Sequence, residues 1–175
     1  MEIYIVEDDI SVINVLEDII ESNGLGTVCG NSGGRPADPA EVARLNPAGV
    51  LVDFLMPEKD GIQFVRELKA AGSTARCIMI SQVSAKDLIG KAYSAGIDFF
   101  ISKPINIIEV KSVIENVERQ IQNERTLSNI RKMFMAEMNE MPKEKQKNDA
   151  YVKKLQLILN RIGMSGEKGC DDIIK

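Results

Sequence analysis

Between Gly49 and Gly61 the sequence reads GVLVDFLMPEKDG, and an apolar run, Val50, Leu51 and Val52, stops abruptly on an ionisable residue, Asp53. A run this short, closed by a break, is the pattern of a strand buried on both faces. A carboxylate at its last position is costly to bury unless a partner meets it. In open α/β sheets the C-terminal strand ends are where the connecting loops converge and ligands collect. Pro57 interrupts regular structure. Asp60, Gly61 and Gln63 then open a helix, with Asp60 as N-cap and Gln63 as its capping-box partner three residues on. Taken alone, Asp53 is better explained as a carboxylate satisfying nearby backbone donors than as a reactive group.

It does not stand alone. Residues 2–6 read as a strand, followed at once by Glu7, Asp8 and Asp9, three acids that are costly in a row unless a cation neutralises them. Ile10, Ile13, Val15, Leu16, Ile19 and Ile20 have helical spacing up to a stop at Asn23-Gly24. Residues 27–30 read as a short strand and 31–37, rich in glycine and serine, as a loop. Asp38, Pro39 and Glu41 supply N-cap, N1 proline and capping-box acid for a helix to about Leu45. After a helix from Gly61 to about Ala71, residues 77–80 form a fourth apolar strand ending on Ser81. Ser84 with Asp87 caps the next helix, which Gly96 closes, and residues 98–101 make a fifth strand ending at Ser102, Lys103 and Pro104. Five strands alternating with helices predict an α/β fold, a five-stranded parallel sheet doubly wound with helices on both faces.

The rear of the chain has a different rhythm. Asn106 and Glu109 cap a helix whose apolar positions Ile107, Val110, Ile114, Val117 and Ile121 step by three and four, as in a coiled-coil seam. Glu124 interrupts the seam, and a second stripe, Leu127, Ile130, Phe134, Met138 and Met141, resumes in shifted phase. Unbroken to Pro142, such a helix extends roughly 50 Å, more than one domain's packing uses, and a parallel homodimer is its natural role; the alternative is a helix folded back on the front domain or broken near Thr126. Residues 142–149 read as a linker, Tyr151 to Ile162 as an amphipathic helix, and 163–166 as a turn. The expected organisation is a domain over 1–120, an extended coiled-coil helix over 106–141, the linker, and the helical start of an unfinished second domain over 150–175.

Composition narrows the chemistry. The chain has no histidine, which excludes a histidine base, a histidine metal ligand and a phosphohistidine within it. Carboxylates, hydroxyls and lysines must do the work. Residues 1–104 carry 15 acids and 9 bases, a net of −6, and residues 105–175 carry 11 acids and 13 bases, a net of +2. A mildly basic rear suits nucleic acid, and solvated helix faces explain the same lysines. Three widely spaced cysteines, Cys29, Cys77 and Cys170, suit free thiols in a reducing compartment, with Cys29 and Cys77 packed in the core. No apolar run approaches a membrane span, and MEIYIVEDD is not a charged-then-apolar leader, so a cytoplasmic protein without membrane attachment is expected.

Assembled, the strand ends offer Glu7 and Asp8, Asp53, Ser81 and Lys103, in outline a phosphoryl-acceptor site. Clustered carboxylates call for a hard divalent cation, and Mg²⁺ suits them. Asp53 is then the nucleophile at phosphorus, with Mg²⁺, Lys103 and Ser81 stabilising charge on the equatorial oxygens. The motifs IVEDD, LVDFLMP with DG, MIS and SKP, in that order, resemble the response-regulator receiver domain of two-component signalling over residues 1 to about 120. The resemblance implies a flavodoxin-like strand order of 2-1-3-4-5 and phosphorylation of Asp53 by a sensor histidine kinase. It makes Asp8, Asp53 and the Leu55 carbonyl direct metal ligands, with Glu7 acting through water. Ser81 becomes the switch hydroxyl, Lys103 the phosphate-binding lysine and Phe100 the rotating aromatic. Haloacid-dehalogenase-like phosphatases also use a nucleophilic Asp after a strand, but need a second Asp two residues later, where this chain has Leu55.

The chain departs from the receiver pattern in two places. Gln82 follows the switch hydroxyl where the family usually has a small residue, and Leu55 and Val83 flank the phosphoryl position with apolar bulk. Gln82 implies narrower access for the donor, and Leu55 and Val83 imply slow self-dephosphorylation; the chain is expected to be a phosphoacceptor with self-catalysed phosphotransfer, not an enzyme. The run ISQVSAKDLIGKAYSAGIDFFISKPIN with the helical rear LNRIGMSGEKGCDDI is similar to the GlnL-like (YcbB-type) regulators, which implies a DNA-binding transcription-regulatory output reached through the α4-β5-α5 face and cut short here. An RNA-binding antiterminator of the ANTAR type, or a receiver that only docks a protein partner, remain as alternatives.

Overall fold

The structure, a computed structural model, describes residues 1–57, 59–82 and 86–140 together with Leu157. Strands and helices alternate in it as β1 (Glu2–Val6), α1 (Ile10–Ser22), β2 (Thr27–Asn31), α2 (Pro39–Leu45), β3 (Gly49–Asp53), α3 (Gly61–Ala70), β4 (Arg76–Ser81), α4 (Lys86–Ala95), β5 (Ile97–Ser102) and α5 (Ile107–Glu140). The strands form one parallel sheet in the order β2-β1-β3-β4-β5, the doubly wound order that the sequence implied.

Alternation of side chains along the central strands divides the core into two layers. Tyr4, Val6, Val50, Val52, Cys77 and Met79 pack with Val42 of α2, with Ile62, Phe64, Val65 and Leu68 of α3, and with Ala92 and Ala95 of α4. The intervening residues Ile3, Ile5, Leu51, Ile78 and Ile80 point the other way and are fully buried. On that side lie Ile13, Leu16 and Ile20 of α1 and Val110, Ile114 and Val117 of α5, where the Lys111 ammonium of α5 lies 3.4 Å from Asn23 Oδ1 at the C-cap of α1. Burial on both faces explains why β1, β3 and β4 read as continuous apolar runs.

The helix starts follow the expected N-caps, and two capping boxes are half-built. Asp38 accepts from the Ala40 amide, Asp60 from the Gln63 amide at 2.7 Å, and Asn106 from the Ile108 amide. Gln63, however, does not turn back to Asp60; its side-chain amide donates to Glu67 one turn on. Glu109 likewise leaves Asn106 and accepts from the Ser102 amide at 3.1 Å, tying the first turn of α5 to the end of β5. The cap proposed from Ser84 and Asp87 lies outside the described residues. Gly61 is required by a close approach, since a Cβ there would overlap the Asp53 carbonyl. Gly96 closes α4 at φ +103, its amide donating to the Tyr93 carbonyl.

Two expectations are corrected. Cys77 is buried in the core, and burial pushes its thiol up to about 11. Cys29, by contrast, is exposed, because β2 is an edge strand whose alternate residues face solvent; its thiol donates to the Ile3 carbonyl. Cys170 lies outside the described residues.

The second correction concerns α5, which runs without interruption through Glu124. Val110, Ile114 and Val117 are each 0% exposed. The stripe read as the front of a coiled-coil seam is therefore the face that covers the sheet. By its contacts the chain divides into Met1–Arg119 and Gln120–Lys175. In the second unit Leu127 and Met133 are exposed and Ile130 and Phe134 half-buried. The phase shift at Glu124 follows the point where the first stripe ceases to serve the sheet. The linker over 142–149 lies outside the described residues, as do Met141 and, apart from Leu157, the segment over 150–175. If Ile114 is core, Ile114→Ala lowers the unfolding free energy by about 2–5 kcal/mol in a urea titration; a loss below about 1 kcal/mol contradicts its placement.

Candidate functional site

The C-terminal ends of β1, β3, β4 and β5 bring the polar residues together. Asp53 ends β3 and is 4% exposed, and Glu7, just beyond β1, is 1% exposed. Both are met by one cation. The Lys103 ammonium lies 2.9 Å from Asp53 Oδ1 and 3.0 Å from Glu7 Oε2. Asp8 is exposed, yet one carboxylate oxygen from each of Glu7, Asp8 and Asp53 falls within a group spanning 4.8 Å. Asp9, third in the acidic run, turns away to cap α1 by accepting from the Ser11 amide, while its own amide donates to Glu7 Oε1.

Lys103 reaches the acids because its backbone is held first. Its amide donates to the Ser81 carbonyl at 2.9 Å, extending the β4–β5 ladder past the Ser81 and Ser102 pair. The Lys103–Pro104 peptide that follows is cis. Ser81, buried at the end of β4, stands one strand over from Asp53. Leu55 lies two residues past Asp53 with its side chain 62% exposed. Phe100 is half-buried on the core, its ring edge-on to that of Tyr93 at 5.3 Å between centroids.

The electrostatics are those of an under-neutralised acid cluster. Burial pushes the Glu7 carboxyl above its ordinary value, the bond from Lys103 pulls it back, and the charge on Asp53 adds to the rise. For Lys103, burial works against the charged form, but the bonds to Asp53 and Glu7 prevail and hold the ammonium above the usual lysine value. Three carboxylates around one ammonium leave an excess of negative charge and a set of hard oxygen donors. That set fits a small divalent cation, and Mg²⁺ favours one or two carboxylates plus water. Glu7 has both carboxylate oxygens engaged, Oε2 by Lys103 and Oε1 by the Asp9 amide, whereas Asp53 meets Lys103 through Oδ1.

The sequence reading missed the groups that brace this cluster. Ser32 follows β2 and is buried, with its hydroxyl bonded to the main chain of Glu7. No local pattern marks a serine whose partner lies 25 residues earlier.

The family model for the response regulator receiver domain matches residues 3–115. The chain belongs to that family. GlnL of Bacillus subtilis, a transcriptional regulatory protein, is 34% identical over 99% of the chain, which spans 57% of the length of GlnL. The chemotaxis protein CheY of the same organism is 32% identical over 64% of the chain and 92% of its own length. Among solved structures, the CheX-CheY-BeF3-Mg²⁺ complex from Borrelia burgdorferi matches with a TM-score of 0.59 and 25% identity, over 67% of this chain and 88% of that one. The receiver fold and the strand order 2-1-3-4-5 are thus shared with its solved relatives, and the protein is a two-component receiver with transcription regulators among its relatives. Among the described residues, no helix is long and apolar enough to cross a membrane.

A raised carboxyl value has a defined consequence for stability. The contribution of Glu7 is full below the ordinary glutamate range and is lost as pH rises through its raised value. With divalent cations chelated, the chain should therefore lose stability relative to Glu7→Gln as pH rises through the range above about pH 4. Paired urea titrations across that range check the sign, and the opposite trend contradicts it.

Proposed function

We propose that the chain is the phosphoacceptor and switch portion of a two-component response regulator that takes a phosphoryl group from a sensor histidine kinase onto Asp53. The observation that carries this reading is the Lys103 ammonium seated between Asp53 and Glu7, with Asp8 beside them, at the carboxyl edge of a receiver sheet. Asp8, Asp53 and the Leu55 carbonyl would hold Mg²⁺, with Glu7 acting through water. Bound there, the cation supplies charge neutralisation at the phosphoryl oxygens. The related CheY was solved with BeF3 and Mg²⁺, which supports the assignment.

The donor must come from a partner, because the chain has no histidine. An Asp53 carboxylate oxygen attacks phosphorus, the phosphorus–nitrogen bond to the partner's imidazole breaks, and the electron pair leaves on that nitrogen, which takes up a proton. Lys103 already lies within hydrogen-bonding distance of Asp53, so its charge meets the equatorial oxygens with little rearrangement. The Ser81 hydroxyl binds another of these oxygens. Its movement lets Phe100 turn inward from beneath Tyr93, which alters the face formed by α4, β5 and α5. The chain is thus a self-phosphorylating acceptor rather than an enzyme acting on other molecules. The apolar side chain of Leu55 leaves the attacking water without a polar guide, and the phosphoryl group is lost slowly; Val83, read from the sequence as its partner in this, lies outside the described residues.

Beyond the receiver, over about 1–120, we assign the helix over 106–141 to homodimerisation, through the stripe beginning at Leu127 rather than through Val110, Ile114 and Val117. Residues 142–149 are a linker, and 150–175 begin a helical output that binds DNA. The likeness to GlnL over nearly the whole chain supports a transcriptional output, and the site of action is the cytoplasm.

Intact mass after incubation with Mg²⁺ and a small acyl phosphate tests the chemistry. One phosphoryl adduct is expected, lost in Asp53→Asn, formed at least about a hundredfold more slowly in Lys103→Ala, and persisting for minutes or longer. An adduct that survives Asp53→Asn overturns the assignment of the acceptor, and a half-life of seconds overturns the slow release. Oligomer mass with BeF3 and Mg²⁺ should double and fall back in Leu127→Asp. Salt-dependent binding to duplex DNA identifies the output; binding to structured RNA alone, or to neither, replaces it with an antiterminator or a docking adaptor.

A further inference from the structure

Where β2 ends, the chain turns off through Gly33 and Gly34, at φ +62 and +71, and leaves the β2 side of the Glu7 backbone without a strand to pair with. The ladder itself runs out at Ile5 and Asn31, after which the Ser32 amide donates to the Ile5 carbonyl at 2.9 Å. One side chain then takes over. The Ser32 hydroxyl accepts from the Glu7 amide at 3.0 Å and donates to the Glu7 carbonyl at 2.6 Å. A single buried oxygen thus supplies both the acceptor and the donor that the next residue of β2 would have provided.

The same loop touches the next residue as well. A Cβ on Gly34 would stand 3.1 Å from the Asp8 carbonyl at φ +71, so the loop lies tightly against the Asp8 main chain in a conformation that favours glycine. Glu7 is thus held at its amide and its carbonyl, and Asp8 is backed by Gly34. These two residues carry two of the three carboxylates that converge with Asp53.

We propose that Ser32 is a positioning residue for the cation site. Its hydroxyl fixes the backbone of Glu7, and so the placement of the Glu7 and Asp8 carboxylates, in the geometry that Mg²⁺ demands. The inference rests on the cation reading given above and adds to it a residue that never touches the metal. Mg²⁺ requires near-ideal octahedral donors close in, whereas Ca²⁺ accepts a looser and more variable set. Loss of placement should therefore weaken Mg²⁺ far more than Ca²⁺. Partial unfolding would weaken both equally, since it only lowers the fraction of chain able to bind.

The experiment is calorimetric titration of the full chain with Mg²⁺ alone and Ca²⁺ alone, for the unaltered protein, Ser32→Ala, Ser32→Thr and Ser32→Cys. Supporting groups around metal sites typically change affinity by about 10–100-fold. The expected result is a Kd for Mg²⁺ raised about tenfold or more in Ser32→Ala and a Kd for Ca²⁺ raised less than about threefold. Ser32→Thr, which keeps the hydroxyl, should lie within about twofold of the unaltered chain for both ions. Ser32→Cys, close in volume and weaker in both bonds, should fall between, and decides the matter if Ser32→Ala does not fold. A Kd for Mg²⁺ unchanged in the folded variants, or equal losses for the two ions, overturns the proposal while leaving the cation site standing. Failure of the unaltered chain to bind Mg²⁺ overturns the cation reading itself, and the role of Ser32 with it.

Discussion

Lys103 places one ammonium between two carboxylates that the fold has removed from water, Asp53 at the end of β3 and Glu7 at the end of β1. Without that ammonium, two buried like charges would face each other, a cost that no amount of packing around them repays. With it, the cluster is tolerable but still holds more negative than positive charge, and so it favours a further cation. The position of Lys103 depends in turn on the ladder between β4 and β5, on the Ser81 carbonyl, and on the Glu109 carboxylate that accepts from the neighbouring Ser102 amide. The site is thus the meeting of four strand ends rather than a property of any one loop.

The braces of this cluster are mostly backbone contacts. Gly61 lets the start of α3 approach the Asp53 carbonyl, Gly34 does the same at Asp8, and the Ser32 hydroxyl replaces a missing strand partner at Glu7. Glu7, Asp8 and Asp53 are therefore held through the chain that carries them. Such an arrangement suits a switch. On the function we propose, charge that arrives at Asp53 acts through Ser81 and Phe100 and leaves the fold in place.

The helix α5 carries two apolar stripes. Val110, Ile114 and Val117 belong to the core, and a second apolar stripe begins at Leu127, after Glu124. Steps of three and four describe both stripes, because any helix lying on an apolar surface shows that period whether the surface is a sheet or another helix. The period marks an apolar face, and it is silent about what, if anything, in the fold covers it.

That distinction sorts the rest of the chain. The sequence alone determined the alternation of strands and helices, the N-caps at Asp38, Asp60 and Asn106, and the polar residues that end each strand. These depend on local sterics, on the periodicity of burial and on the cost of an ionisable group beside an apolar run, all written within a few residues. Only the tertiary structure decided that Cys29 lies exposed on an edge strand, that Gln63 and Glu109 leave their caps for other partners, and that Ser32 braces Glu7 across 25 residues. In each case the competing partner comes from another turn or another element. Which of several satisfactory hydrogen bonds a side chain makes is settled by what the assembled fold brings within reach.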